Sequence, residues 1–289
     1  MFNKKYSPYL FTAPFVIMFL AFWVWPIVQS LLWSLRDWDG MRAPKFVGLR
    51  NYVALFKDPD FVVSLRNTVA AAVVYIALLV LLAILIAIVL NSRKLWGRTA
   101  FRSAFFIPVT VSLPVVALIF MLIYAPHNGI LNKILALFGA PPETNWLGNP
   151  RTALGSIVAL RLWRASGYYS VFVLAGLQAI PRETIEASLI DGASGFQTGL
   201  HVILPQLKPV LVYVAIASSV WAFQLFEEPW ILTGGGPNNA TSTVGIHIYQ
   251  NGFKFFRLGY ASASAYLLAM VILGFSLLQL SVTREGRAE

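Results

Sequence analysis

The sequence predicts an all-α membrane protein with six transmembrane helices, and three observations predict it. The chain of 289 residues is 58% hydrophobic and only 12% charged, where soluble domains are about one quarter charged. Six apolar runs reach the ~20 residues needed to cross a hydrocarbon core of about 30 Å. Between two of these runs lies the polar, helix-forming stretch 180–209, which has the make-up of a surface element rather than of a span.

Taken in order, the runs are Leu10–Leu32, Val69–Leu90, Ile107–Tyr124, Gly155–Leu177, Val210–Leu232 and Ala261–Val282. The start MFNKKYSPYL lacks a small-residue cleavage site behind a short apolar core, so the first run reads as a retained helix. Pro14, Pro26, Pro108, Pro114 and Pro229 interrupt the runs and predict kinks, which membrane helices tolerate where neighbours satisfy the freed carbonyls. With no internal repeat or soluble insertion, residues 1–289 read as one transmembrane domain.

The net charge of +10 is scattered through loops without a dense basic run, which points to anionic lipid headgroups and against nucleic acid. Cysteine is absent, which excludes disulfides, thiolate metal sites and cysteine nucleophiles. His127, His201 and His247 are too dispersed for a metal site. No Gly-Lys pair occurs, so a phosphate-cradling loop is missing, and Gly234-Gly235-Gly236-Pro237 reads as a tight turn. An enzyme is not expected.

Stretch 180–209 has its own local logic. Pro181 suits a first helical position, Glu183 faces the positive end of the helix dipole, and Gly192 is placed to end the helix at positive φ. The expectation is a helix from Pro181 to Asp191, followed by a second from Phe196 to Ile203 that stops at Pro205. The pattern Glu-Ala-Ala, three residues, Gly, nine residues, Ile-x-Leu-Pro is matched in register by Glu186, Ala187, Gly192, Leu204 and Pro205, with Ser188 and Val202 as small departures. In this the chain resembles the permease subunits of binding-protein-dependent ABC importers. The phrases GLRNYVALFKDPDF from Gly48, NWLGNP from Asn145, LTGGGP from Leu232 and GYASASA from Gly259 extend the resemblance to the carbohydrate-type, maltose-like branch over most of the chain.

The resemblance implies the type I importer permease fold, with 180–209 as a cytoplasmic coupling helix-turn-helix in which Glu186, Ala187, Asp191, Gly192, Leu204 and Pro205 engage an ATPase. It implies a heterodimer with a second homologous permease, two ATPase subunits that bind the ATP, a substrate-binding protein and a sugar-like substrate; the chain itself carries no cofactor. It also implies a prokaryotic plasma membrane with both termini cytoplasmic. Charge alone leaves orientation tied: ten basic residues, including Lys4, Lys5, Arg93, Lys94 and Arg287, fall on the side of the termini and ten on the other.

Polar residues inside the spans carry the remaining signal. Arg161, Arg164 and Tyr168 share one face of the fourth span, and Trp221, Gln224 and Glu228 one face of the fifth. An arginine left in lipid costs about 2.5–3.5 kcal/mol on insertion scales, so both should face protein, a cavity or the interface. Two readings stand. The six residues line a translocation cavity, or a glutamate, Glu228 or Glu227, neutralises an arginine and fixes packing. Aligned on Trp163 and Gln178, the resemblance implies that Arg161, Arg164, Ala165 and Tyr168 sit where maltose-type permeases line their sugar site, with arginine in place of neutral side chains; an anionic substrate is the corresponding expectation. An ion-gradient-driven transporter of a polar solute is the alternative function, and it would want the internal repeat that is missing here.

Overall fold

The computed structural model describes residues 7–92, 95–139, 141 and 143–285, and the regular structure among them is helical apart from one two-stranded ribbon. Lys4, Lys5, Arg93, Lys94 and Arg287 of the basic-residue count lie outside the described residues. Two compact units account for the chain: Met1–Val62 with His247–Met270, and Val63–Ile246 with Val271–Glu289.

In the first unit, α1 (Ser7–Phe19) and α2 (Trp25–Ser34) join through a π-helical turn at Leu20–Val24 into an apolar rod, and Tyr9–Ser34 is long and apolar enough to cross a membrane. Pro26 falls in the first turn of α2, where its missing N–H matters least. The rod ends in an antiparallel ribbon, β1 (Arg36–Asp37) and β2 (Lys45–Phe46), with Arg36 opposite Phe46. Helix α3 (Arg50–Lys57) follows, and its buried Asn51 donates to the carbonyls of Ser34 and Arg36 at 2.8 and 2.9 Å, which satisfies the chain where α2 gives way to the ribbon.

The unit also holds an ionisable cluster around the buried His247. Asp58 caps the next helix by accepting from the Asp60 N–H at 3.0 Å and accepts from the Tyr260 hydroxyl at 2.7 Å. His247 packs against Phe61 and Tyr260, with Nε2 3.6 Å from Asp58 and Nδ1 3.4 Å from the Ser264 hydroxyl. Burial lowers the His247 pKa below its ordinary 6.5, opposed in part by Asp58. For Asp58, burial pushes upward but is outweighed by the Tyr260 hydroxyl, the Asp60 N–H and His247, so its pKa lies below 3.8.

The second unit contains the body of α4 (Pro59–Asn91), 33 residues or roughly 50 Å of helix. Near its start, Ser64 meets Ser242 at 2.9 Å, Asn67 donates to the Asn239 and Ser242 carbonyls, and Thr68 accepts from the Val244 N–H, anchoring the loop 234–243. Gly234 and Gly235 turn that loop at φ 61° and 93°. Helices α5 (Arg98–Thr110) and α6 (Leu113–Ile123) meet at 101°, and α7 (Ile130–Ala136) is short. Helix α8 (Ala153–Ala179) is followed by α9 (Arg182–Ile190) and by α10 (Gly195–Thr198), which continues through a π-turn at Gly199–Ile203 into α11 (Leu204–Phe223). Then come α12 (Glu227–Thr233), α13 (Val244–Tyr249), a π-turn at Gln250–Lys254 and α14 (Leu258–Glu285). Leu79, Ile157, Leu160, Val173, Val214 and Phe223 form the buried centre of this unit.

Among the described residues, four helical stretches are both long and apolar enough to span, Tyr9–Ser34, Pro59–Asn91, Gly195–Phe223 and Leu258–Ser281, and the bent pair α5/α6 makes a fifth. The sixth expected span is α8, which has the length at 27 residues but carries Arg161 and Arg164. Two boundaries are corrected. The run 107–124 is not a kinked helix: Val111 and Ser112 are extended, so α5, with Pro108 inside its last turn, ends at Thr110, and α6 begins at Leu113 with Pro114 in its first turn. The run 210–232 stops being one helix at Phe223, because Gln224 and Phe226 leave helical geometry.

Close packing in the second unit depends on Gly167, where a Cβ would stand 1.8 Å from the Phe105 carbonyl oxygen. Gly167→Ala therefore must separate α5 from α8. A loss of about 1–3 kcal/mol is expected, read as a lower Tm in detergent, while Gly155→Ala, with open space at its Cβ, should stay near wild type.

The His247 cluster gives a pH dependence of known sign. Below 6.5 the unfolded chain takes up a proton that folded His247 refuses, so stability falls as pH drops through that value. Asp58 contributes stability above 3.8 and loses it only as pH falls through its lower folded value. Thermal scans over about two units around pH 6.5 should show a falling Tm on the acid side, and His247→Gln should flatten that slope.

Candidate functional site: a cavity at two helix breaks and an exposed helical knob

A helix that stops inside a membrane leaves its last carbonyls without donors, and no water or lipid tail supplies them. Among the described residues of the second unit, two apolar helices end beside α8, α5 at Thr110 and α11 at Phe223. Helix α8 runs past both, with Arg161 and Arg164 one turn apart on the same face.

Arg161 donates from Nη2 to the Trp221 carbonyl at 2.8 Å and from Nη1 to the Ala222 carbonyl at 3.2 Å, in the last turn of α11. Its Nε lies 2.9 Å from Glu228 Oε1 in the first turn of α12, with the two side chains only 10% and 6% exposed. The guanidinium also rests over the Tyr75 ring at 5.1 Å. Arg164 donates from Nη2 to the Val109 and Val111 carbonyls at 3.2 and 3.4 Å, at the end of α5, and its buried Nε has no partner. Each arginine thus supplies donors and positive charge to the negative end of a broken helix.

Between the two breaks lies a cavity of about 750 Å³, within the range of small-molecule sites. All six residues singled out in the spans, Arg161, Arg164, Tyr168, Trp221, Gln224 and Glu228, line it. They reach it differently from the sequence expectation. Trp221, Gln224 and Glu228 do not share a helical face, because Trp221 ends α11, Gln224 sits in the break and Glu228 opens α12. Arg161 needs no route to the interface, being paired with Glu228 inside the protein. The packing role left open for a glutamate therefore belongs to Glu228.

Sequence reasoning missed Tyr75 and Ser112 as lining residues. Tyr75 was findable as a hydroxyl-bearing ring in an otherwise aliphatic run. Ser112 was not, because its position depends on the break.

The second feature is the knob 181–205. Pro181 occupies the N-cap of α9 rather than its first helical position, and Gly192 takes φ 86° after Asp191 at the C-cap, as the pattern predicts. Ser194 then caps α10 in a reciprocal box: its Oγ accepts from the Gln197 N–H at 3.3 Å and its own N–H donates to Gln197 Oε1 at 2.8 Å. Ser188 donates to the Ile185 carbonyl and meets the Thr198 hydroxyl at 3.0 Å, so the departure from the Ala pattern ties α9 to α10. Pro205 does not stop a helix. It lies in the first turn of α11, where the preceding π-turn absorbs its missing N–H, and Leu204 opens that same helix. Glu186, Ala187, Asp191, Gly192, Leu204 and Pro205 are all exposed, beside the apolar Ile190 and Phe196 at 85% and 80% exposure.

Broken spans around a polar cavity, joined to an exposed helical knob that carries the Glu186–Pro205 pattern, define the permease subunit of an ABC importer. The chain belongs to the family described as binding-protein-dependent transport system inner membrane component, whose family model matches residues 79–284. It is 39% identical over 291 residues to the arabinooligosaccharides transport system permease protein AraP of Bacillus subtilis, covering 100% of this chain and 92% of that one. It is 35% identical over 280 residues to the trehalose/maltose transport system permease protein MalF of Thermococcus litoralis, covering 96% and 94%. A chain of the crystal structure of a bacterial alginate ABC transporter, in complex with alginate pentasaccharide-bound periplasmic protein, shares its fold at TM-score 0.84 and 21% identity, covering 98% of this chain and 95% of that one. Multi-pass insertion in the inner membrane follows from the family and from the apolar helices.

The Arg161–Glu228 geometry sets an order of mutational cost. Glu228→Gln leaves Arg161 buried without its counter-charge, and Arg161→Met leaves Glu228 and two α11 carbonyls unmet, so the second should cost more; breaking such a pair typically costs about 3–5 kcal/mol. Tm measurements in detergent should place the Arg161→Met/Glu228→Met double variant well above the sum of the single losses.

Proposed function

We propose that this subunit translocates a sugar or sugar derivative handed to it by a substrate-binding protein, driven by ATP hydrolysis on separate ATPase subunits. The observation that carries the reading is the cavity itself, where the exposed rings of Tyr168 and Trp221 stand beside the unengaged Gln224. Aromatic faces pack on the C–H faces of a sugar ring, and a side-chain amide both donates to and accepts from hydroxyls. The names of the relatives, transporters of arabinooligosaccharides and of trehalose or maltose, support the same class.

In this reading the knob faces the cytoplasm with both termini, and the exposed Glu186, Ala187 and Asp191, with Ile190 and Phe196, enter a groove of the ATPase. Gly192 holds the turn between α9 and α10, and Leu204 and Pro205 join the knob to α11. A second homologous permease completes the pathway. Closure of the ATPase pair on ATP carries the knob with it and rocks the spans between inward- and outward-open states.

Pull-down of the chain from its native membrane in mild detergent tests this. Recovery of a second permease and an ATPase is expected, with Glu186→Lys and Gly192→Val each lowering ATPase recovery and sugar uptake at least tenfold; Val at φ 86° strains the turn. Recovery of the chain alone, with ion-driven and ATP-independent flux, would move the gradient-driven transporter to first place.

A further inference from the structure

The cavity is lined by two cationic side chains, Arg161 and Arg164, and two carboxylates, Glu227 and Glu228, so its formal charges cancel. The distribution of partners is uneven. Arg161 is paired with Glu228 and with the end of α11. Arg164 has Nη2 on two carbonyls of the α5 terminus and Nε sealed from solvent. Among the described residues, Glu227 is the lining charge with no hydrogen bond or ion pair, and it is exposed at the cavity wall; Gln224, three residues away, is likewise exposed and unengaged.

Resting on the carbohydrate reading above, we propose that Glu227 is the specificity-determining residue of this cavity and that it selects neutral, hydroxyl-rich sugars over anionic ones. A carboxylate only accepts, and its two oxygens can take hydrogens from adjacent sugar hydroxyls. The same charge repels a uronate or phosphate in a cavity where water screens poorly. Arg161 is neutralised by Glu228, and Arg164, which keeps its charge, has Nη2 taken by two carbonyls and Nε sealed, so the free carboxylate that a ligand meets is that of Glu227. This proposal sets a neutral sugar against the anionic substrate expected from Arg161 and Arg164 in the sequence.

The test uses the assembled importer in lipid nanodiscs, with quenching of tryptophan fluorescence titrated by arabinotriose and trehalose and by their anionic counterparts trigalacturonate and trehalose 6-phosphate. Trp221, 65% exposed and lining the cavity, is the local reporter. For wild type, the neutral sugars should bind at least tenfold tighter than the anionic ones. Glu227→Gln should narrow that ratio to under threefold by strengthening the anionic sugars, and Glu227→Asp should restore it. Equal or tighter binding of the anionic sugars to wild type, or a ratio that Glu227→Gln leaves unchanged, would overturn the role of Glu227 and leave the carbohydrate reading standing. Absence of any response to either class, with the importer intact by ATPase activity, would overturn both.

Discussion

A carbonyl at the end of a helix inside a membrane must find a donor within the protein, and the cavity unit of this chain is arranged around that requirement. The breaks at Val111–Ser112 and at Gln224–Phe226 open space that continuous helices would fill. They are tolerable because Arg164 and Arg161 reach the freed carbonyls from a helix that does not break. The arginines in turn are tolerable in a span because the helix ends are negative and because Glu228 meets one of them. Breaks and charges are therefore mutually stabilising, and removing either member exposes the other.

The same dependence explains what was legible in the sequence. Apolar run length reveals the spans, because the bilayer fixes that length. The knob is legible from the order of Pro181, Gly192 and the Glu186–Pro205 pattern, because cap and turn residues act locally. The breaks were only half legible. Pro108 and Pro114 announce a disturbance, but a 101° bend and a kink use the same residues, and Arg164, which meets the freed carbonyls, lies 53 to 55 residues away in the chain. Gln224 and Phe226 give no local warning that α11 ends. Pro205 misleads for the opposite reason: it looks like a stop, and a π-turn at Gly199–Ile203 lets the helix pass.

That continuity matters for how the site can be moved. Helix α8 runs without interruption from the arginines to Ala179, two residues before the knob, about 28 Å from Arg161 to Ile180. The helix from Gly195 through the π-turn to Phe223 makes the return journey, about 39 Å from the knob to Trp221. The two pack closely where a Cβ on Gly176 would touch Leu207 and Val210 at 3.0 Å. At the far end they are joined again, by Arg161 to the carbonyls of Trp221 and Ala222.

Packed at Gly176 towards the knob and bonded at Arg161 beside the cavity, α8 and α11 are a linked pair rather than two independent rods. Within the knob Ser188 against Thr198 ties α9 to α10 beside the turn at Gly192; at the cavity end the joint is a guanidinium shared among two carbonyls and Glu228. A displacement imposed on α9 cannot be absorbed by sliding α8 past α11 without breaking one of these joints. The extended residues between α5 and α6 are held in turn, because the Val111 carbonyl accepts from Arg164 on the same α8. Ser112, Gln224 and Phe226 of the two breaks line the cavity, so its walls are tied to α8 and α11 through the arginine joints.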